Sequence, residues 1–179
     1  MNEVQPIKNK RDIERMKKSL HGRDLLLFTL GINTNLRISD LLSLKREDID
    51  GDKIVLKESK TGKTKRIHLG DKTVKSIAPL LPASGYLFPS RKSDKDGNAR
   101  PITRTQAWRI LNGAAERAGL DIEFGTHSMR KTFAYHAYKQ GVDLALLMRI
   151  LNHSSQRETL RYIGIETDDI TNIYDAVQL

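Results

Sequence analysis

Residues 23–32, "RDLLLFTLGI", constrain this fold more than any other stretch. The run has helical length and is apolar on nearly every side, and a helix of that kind must be buried. The rest of the chain therefore has to supply elements that wrap it. Residues 9–20 carry Ile13, Met16 and Leu20 at helical spacing, and "ISDLLSL" predicts a short third helix. The period then changes. "KIVLKES" and "KTKRIHL" read as strands on either side of Lys60-Thr61-Gly62, which predicts a hairpin over residues 53–69. "GYLF" is expected to add a third strand, and "DKTVKSIAPLL" a helix stopped by Pro82. The charged run "SRKSDKDGNARPI" is a loop. "TRTQAWRILNGAAERAGL" is a helix, with Thr103 or Thr105 as its cap and Gly119 as its stop. "THSMRKTFAYHAYKQG", "DLALLMRILN", "QRETLRYI" and "DDITNIYDAV" complete the helices. The expected class is mostly α with a small antiparallel β-sheet (α+β), as one domain over residues 1–179.

Composition narrows the functional classes. The chain has no cysteine, which excludes disulfides and thiolate metal sites and fits an intracellular setting. No apolar run reaches membrane-spanning length. The net charge of +9 is uneven: residues 61–120 hold 12 basic and 4 acidic side chains. Such a concentrated excess points to a polyanion partner, and no basic amphipathic helix argues for a membrane surface instead.

Within that basic third, "SKTGKTKR" ends like a phosphate-binding loop. The full motif requires a glycine five residues before Gly62, where Lys57 stands, and a helix after it, where a strand is expected. A nucleotide site is therefore set aside, and Lys60 and Lys63 are left on a hairpin tip. Other single features also have ordinary readings. His127 and Arg130 are three apart on one helix face and could simply frame a packed helix. Arg37, between Leu36 and Ile38, could be a structural partner of Asp40. His153 opens a loop, and Tyr162 could only pack its ring.

Taken together these features are more specific. "NLRISDLLSLKREDID", "HSMRKTFA" and "LNHSSQRETLRYI", in that order with a lysine-tipped hairpin between the first two, resemble the catalytic domain of the tyrosine recombinases, the phage-integrase family. The resemblance runs from about residue 10 to about residue 175. It implies the integrase catalytic-domain fold and a site-specific recombinase that cleaves and rejoins double-stranded DNA through a 3′-phosphotyrosine. Carried over residue by residue, it makes Arg37 and Arg130 the phosphate-binding arginines and Lys60 the hairpin lysine. His127 and His153 become the active-site histidines, Tyr162 the nucleophile, and Asp40 the acid bracing the first arginine. No cofactor, metal or nucleotide is implied. Two guanidiniums can hold the non-bridging phosphate oxygens, and the phosphotyrosyl bond conserves the energy of the cleaved ester. A cytoplasmic, nucleoid-associated protein of bacterial or phage origin is expected. Self-association on DNA through the acidic, apolar-striped tail "ETDDITNIYDAVQL" is expected too.

The chain departs from the family pattern at three residues. Asn35 and Asn152 stand where glycine is usual, and asparagine tolerates left-handed backbone better than other side chains. Asp40 is one methylene shorter than the usual glutamate. The N-terminal core-binding domain common in the family is expected to be absent from this chain. Two alternatives stay open at this point. A type IB topoisomerase-like enzyme would share the chemistry without partner exchange. A non-catalytic helix-turn-helix protein could be built on "YKQGVDLALLMRILNHSS", leaving Tyr162, Arg37 and Lys60 as coincidences.

Overall fold

The computed structural model of the protein describes residues 4–60 and 62–165. The chain runs α1 (Lys10–Lys18), α2 (Gly22–Thr34), α3 (Ile38–Ser43), β1 (Ile49–Asp50), β2 (Lys53–Lys57) and β3 (Thr64–His68). It continues with α4 (Asp71–Ile77), α5 (Arg104–Arg117), α6 (Thr126–Lys139), α7 (Leu144–Leu151) and α8 (Gln156–Ile163). The expected tail helix over "DDITNIYDAV" lies outside the described residues.

Helix α2 is the central element, as its composition requires. Leu26, Leu27, Phe28 and Leu30 are wholly buried, and α1, α3, α4 and α6 pack around them. Gly31 permits the α2–α6 contact, because a Cβ there would overlap the Met129 side chain of α6. Thr103 caps α5 by accepting from the Gln106 amide, and Gln106 reciprocates to the Thr103 amide. Asp143 and Ser155 cap α7 and α8 in the same side-chain-to-backbone manner.

The sheet is antiparallel in the order β1-β2-β3. Ile54 pairs with Ile67 and Leu56 with Lys65, so these four share the inner face. The third strand is β1, not "GYLF". Tyr86 makes only an isolated bridge to Lys45, and Leu87 donates its amide to the Leu44 carbonyl, so that segment pairs with the residues just after α3 instead of joining the ladder. Helix α4 also stops earlier than expected. Pro79 has no amide to continue the ladder, so the α-helix ends at Ile77 and one 3₁₀ turn follows to Leu80.

Most apolar burial forms one core around α2. A smaller cluster of Ala134, Leu151 and Ile163, flanked by Leu160 and Tyr162, joins α6, α7 and α8. Helix α8 is thus held by this satellite cluster, while α6 belongs to both.

Candidate active site

Arg37 is the N-cap of α3, in extended backbone directly after the α2 terminus. That terminus closes through Asn35 in the left-handed conformation at φ 54°. The Asn35 side-chain amide donates to the Ile150 carbonyl at 3.3 Å, tying the Arg37 loop to α7. Asn152 ends α7 in the same conformation at φ 61° and turns the chain into His153. Both asparagines therefore adopt the backbone for which glycine is the usual residue.

Arg130 lies on α6, 8% exposed. Its Nη2 donates to the Leu151 carbonyl at 3.0 Å, and its buried Nε has no hydrogen-bond partner among the described residues. Burial lowers its pKa; the Tyr162 phenol opposes that, and the Arg37 charge adds to it. His127, one turn earlier, is pushed below its ordinary pKa of 6.5 by loss of solvent and then by Arg130, Arg104, Lys131 and Arg37.

Tyr162 stands in the last turn of α8, half-buried. His153 meets its ring edge-on at 4.9 Å, and Lys131 Nζ lies 5.1 Å from the ring centre. His153 Nδ1 is 3.0 Å from the Thr159 hydroxyl, which fixes the imidazole against α8. Burial raises the Tyr162 pKa, and Arg130 and then Arg37 pull it down. The two arginines thus act on the phenol from α6 and α3. Arg37, His127, Arg130, His153 and Tyr162 come together in one electropositive region.

Lys60 is placed differently, at the exposed tip of the β2–β3 hairpin. The cations that the hairpin turns toward the arginines belong to another position. Lys65 Nζ lies 3.7 Å from Glu58, whose carboxylate also reaches Arg37 at 3.6 Å. Desolvation holds the Lys65 pKa below its ordinary value; Glu58 opposes this, while Arg130 and Arg37 reinforce it. Neither Glu58 nor Lys65 was identified from sequence. The signal for Lys65 was present in the strand period: it lies two residues before Ile67 and so shares the inward face. Asp40 corrects a second expectation. It does not pair with Arg37; its Oδ1 accepts from the Ser59 amide at 2.9 Å and the Ser59 hydroxyl at 2.7 Å. Among the described residues, the acid paired with Arg37 is Glu58.

A site of two convergent guanidiniums, two histidines and a tyrosine on a helical domain defines a class that handles phosphodiesters. The chain belongs to the phage integrase family, whose model matches residues 4–168. It is 42% identical to the probable integrase/recombinase YoeC of Bacillus subtilis, over 97% of both chains. It is 30% identical to the tyrosine recombinase XerC of Staphylococcus saprophyticus, matching over 88% of its own length and 54% of that protein. The chain thus spans nearly all of one relative and about half of the Xer recombinases. The catalytic domain of bacteriophage HP1 integrase superposes with a TM-score of 0.65 at 25% identity, over 90% of this chain and 88% of that one. The XerA recombinase structure gives a TM-score of 0.74 at 19% identity, over 98% of this chain and 66% of that one. That second likeness concerns the fold.

Proposed function

We propose that the protein is a site-specific DNA strand transferase that cuts and rejoins duplex DNA through a 3′-phosphotyrosyl bond at Tyr162. The observation that carries this reading is the Tyr162 phenol, held against the His153 imidazole while the charges of Arg130 and Arg37 both act on it. A phenol so placed faces the one group that two fork-shaped cations bind together, a phosphodiester.

In the reaction, Arg37 and Arg130 hold the non-bridging oxygens and stabilise the charge of the transition state. The Tyr162 oxygen forms its bond to phosphorus as the P–O5′ bond breaks. His127, kept neutral by its surroundings, accepts the phenolic proton, and Lys60 gives a proton to the departing 5′-oxygen. His153 braces the phosphate from the α8 side. Rejoining is the reverse, so no nucleotide is consumed.

Support for a DNA substrate comes from the +9 net charge and from relatives solved on DNA, such as the XerH recombinase on its palindromic difH substrate. In this reading the protein works in the cytoplasm on nucleoid DNA, and its tail after Gly164 docks on a second copy during assembly. Truncation after Gly164 should then reduce multimers on DNA in a mobility-shift assay. Unchanged assembly would exclude docking in trans.

The decisive experiment uses a nicked suicide duplex and a denaturing gel. The native chain should give a covalent protein–DNA band, and Tyr162→Phe should give none while binding the duplex normally. A band from Tyr162→Phe would name another nucleophile.

A further inference from the structure

Asp40 is 1% exposed on α3, and it spends its hydrogen bonds on the hairpin. Its Oδ1 receives both the amide and the hydroxyl of Ser59, the residue immediately before Lys60. Its Oδ2 is buried without a hydrogen-bond partner among the described residues, and its charge is felt by Lys65 and by Arg130. The loop is closed just outside the tether. The Glu58 amide donates to the Lys63 carbonyl at 2.9 Å, and the Gly62 amide donates to the Glu58 carbonyl at 2.9 Å. Gly62 sits at φ 66°, the left-handed geometry this closure requires. The tip that carries Lys60 is therefore short and closed on itself. Its Ser59 end is fastened to the helix that begins with Arg37.

We propose that the Asp40–Ser59 tether is a positioning device that sets where the Lys60 ammonium stands relative to the phosphate held by Arg37. This rests on Lys60 being the proton donor to the 5′-oxygen. The physical argument is one of reach. Lys60 lies on an exposed tip, and a lysine stem has four rotatable carbons. Proton transfer needs heavy atoms within about 2.6–3.2 Å. Fixing the backbone one residue away, and fixing it to the element that carries a phosphate-binding arginine, gives donor and phosphate a common frame. It also accounts for a buried carboxylate in a cationic site that is not paired with its neighbouring arginine. Asp40 and Ser59 touch no reacting atom in this arrangement. They act through Lys60.

The test uses Ser59→Ala, since removing the buried Asp40 could prevent folding. Two suicide substrates are compared under single turnover: ordinary DNA, and DNA with sulfur replacing the 5′-bridging oxygen, whose thiolate leaves without a proton. Ser59→Ala should cleave the oxygen substrate roughly 10- to 100-fold more slowly, the scale of a misplaced catalytic group. Its loss should be relieved on the sulfur substrate, to the extent that the loss in Lys60→Ala is. Ser59→Thr keeps the hydroxyl and should restore the oxygen rate. Combining Ser59→Ala with Lys60→Ala should add no further loss, because both act on one step. Equal slowing of both substrates by Ser59→Ala, alongside sulfur rescue of Lys60→Ala, would overturn the tether and leave the acid standing. A native oxygen rate for Ser59→Ala would overturn it as well. If sulfur fails to rescue Lys60→Ala itself, the acid assignment falls, and the tether's role with it.

Discussion

Replacing Arg130 with lysine tests whether the second cation acts as a fork or only as a charge. The native guanidinium has two obligations. One edge donates to the Leu151 carbonyl at 3.0 Å, where α7 ends, and in the proposed reaction the same guanidinium also holds a phosphate. Lysine keeps the charge but presents one ammonium on a linear stem, which cannot span both. If the ammonium goes to phosphate, the carbonyl loses a charged hydrogen bond, worth about 1.5–3 kcal/mol. For a chain of this size each kcal/mol lowers Tm by about 2–4 °C. If it stays on the carbonyl, the transition state loses a preorganised donor pair, a loss of about 10²–10³ in rate, or about 2.7–4 kcal/mol. One of the two losses must occur.

The assay is covalent-adduct formation on a suicide duplex at saturating protein and 25 °C, with a melting curve of the same sample. The expected result is a folded protein whose adduct rate falls at least 10²-fold. Its DNA affinity and salt dependence should change little, because the charge count is conserved. Cleavage within about threefold of native, with an unchanged Tm, would refute the argument. It would mean that neither the fork nor the carbonyl contact matters.

Acid should act through His127 and His153, both held below the ordinary pKa of 6.5, chiefly by desolvation. A depressed pKa means that the folded state binds fewer protons than the unfolded chain. The stability it carries is present above pH 6.5 and lost as pH falls through the folded value. Tm should therefore decline below that point, and the adduct rate should fall with a midpoint under 6.5 as His127 protonates. His127→Asn should lower the rate and remove that acid limb; an unchanged limb in the variant would assign it elsewhere. Gly31→Ala should destabilise by about 1–3 kcal/mol, because the new methyl overlaps Met129. Melting curves should show this, and Gly31→Ala together with Met129→Ala should recover part of the loss, whereas strict additivity would place the strain elsewhere.

Elements whose sequence signal is local were readable in advance. The apolar run forced α2 into the centre, Thr103 marked the α5 start, and Gly62 marked the hairpin. The misses share one physical cause, a long-range partner that overrides a local pattern. "GYLF" has strand-like residues, but its neighbour is Lys45, outside the named strands, and not the ladder edge. Asp40 is three residues from Arg37, which reads as a local pair, yet its hydrogen bonds go 19 residues on to Ser59. Glu58 looks like an ordinary hairpin charge until the sheet folds against α3 and brings it to Arg37.

The placement of the candidate residues explains why the motif was still legible. Arg37 caps α3, His127 opens α6, His153 follows the α7 terminus, Tyr162 closes α8, and Lys60 tips a hairpin. Arg130, one turn into α6, is the exception, and it is anchored to the last carbonyl of α7. The other five therefore sit at or beside an element end, and ends are where sequence leaves its clearest marks: caps, turn glycines and left-handed asparagines. The core behind them needs only apolar volume, which many sequences can supply. A phosphate approached from α3, α6, α7 and α8 at once needs those ends held in register. Asn35 on the Ile150 carbonyl and Arg130 on the Leu151 carbonyl do this by joining α2, α6 and α7 at a single turn. The residues that bind the phosphate in this reading and the residues that join the helix ends are thus neighbours in the chain, or the same residue, as with Arg130.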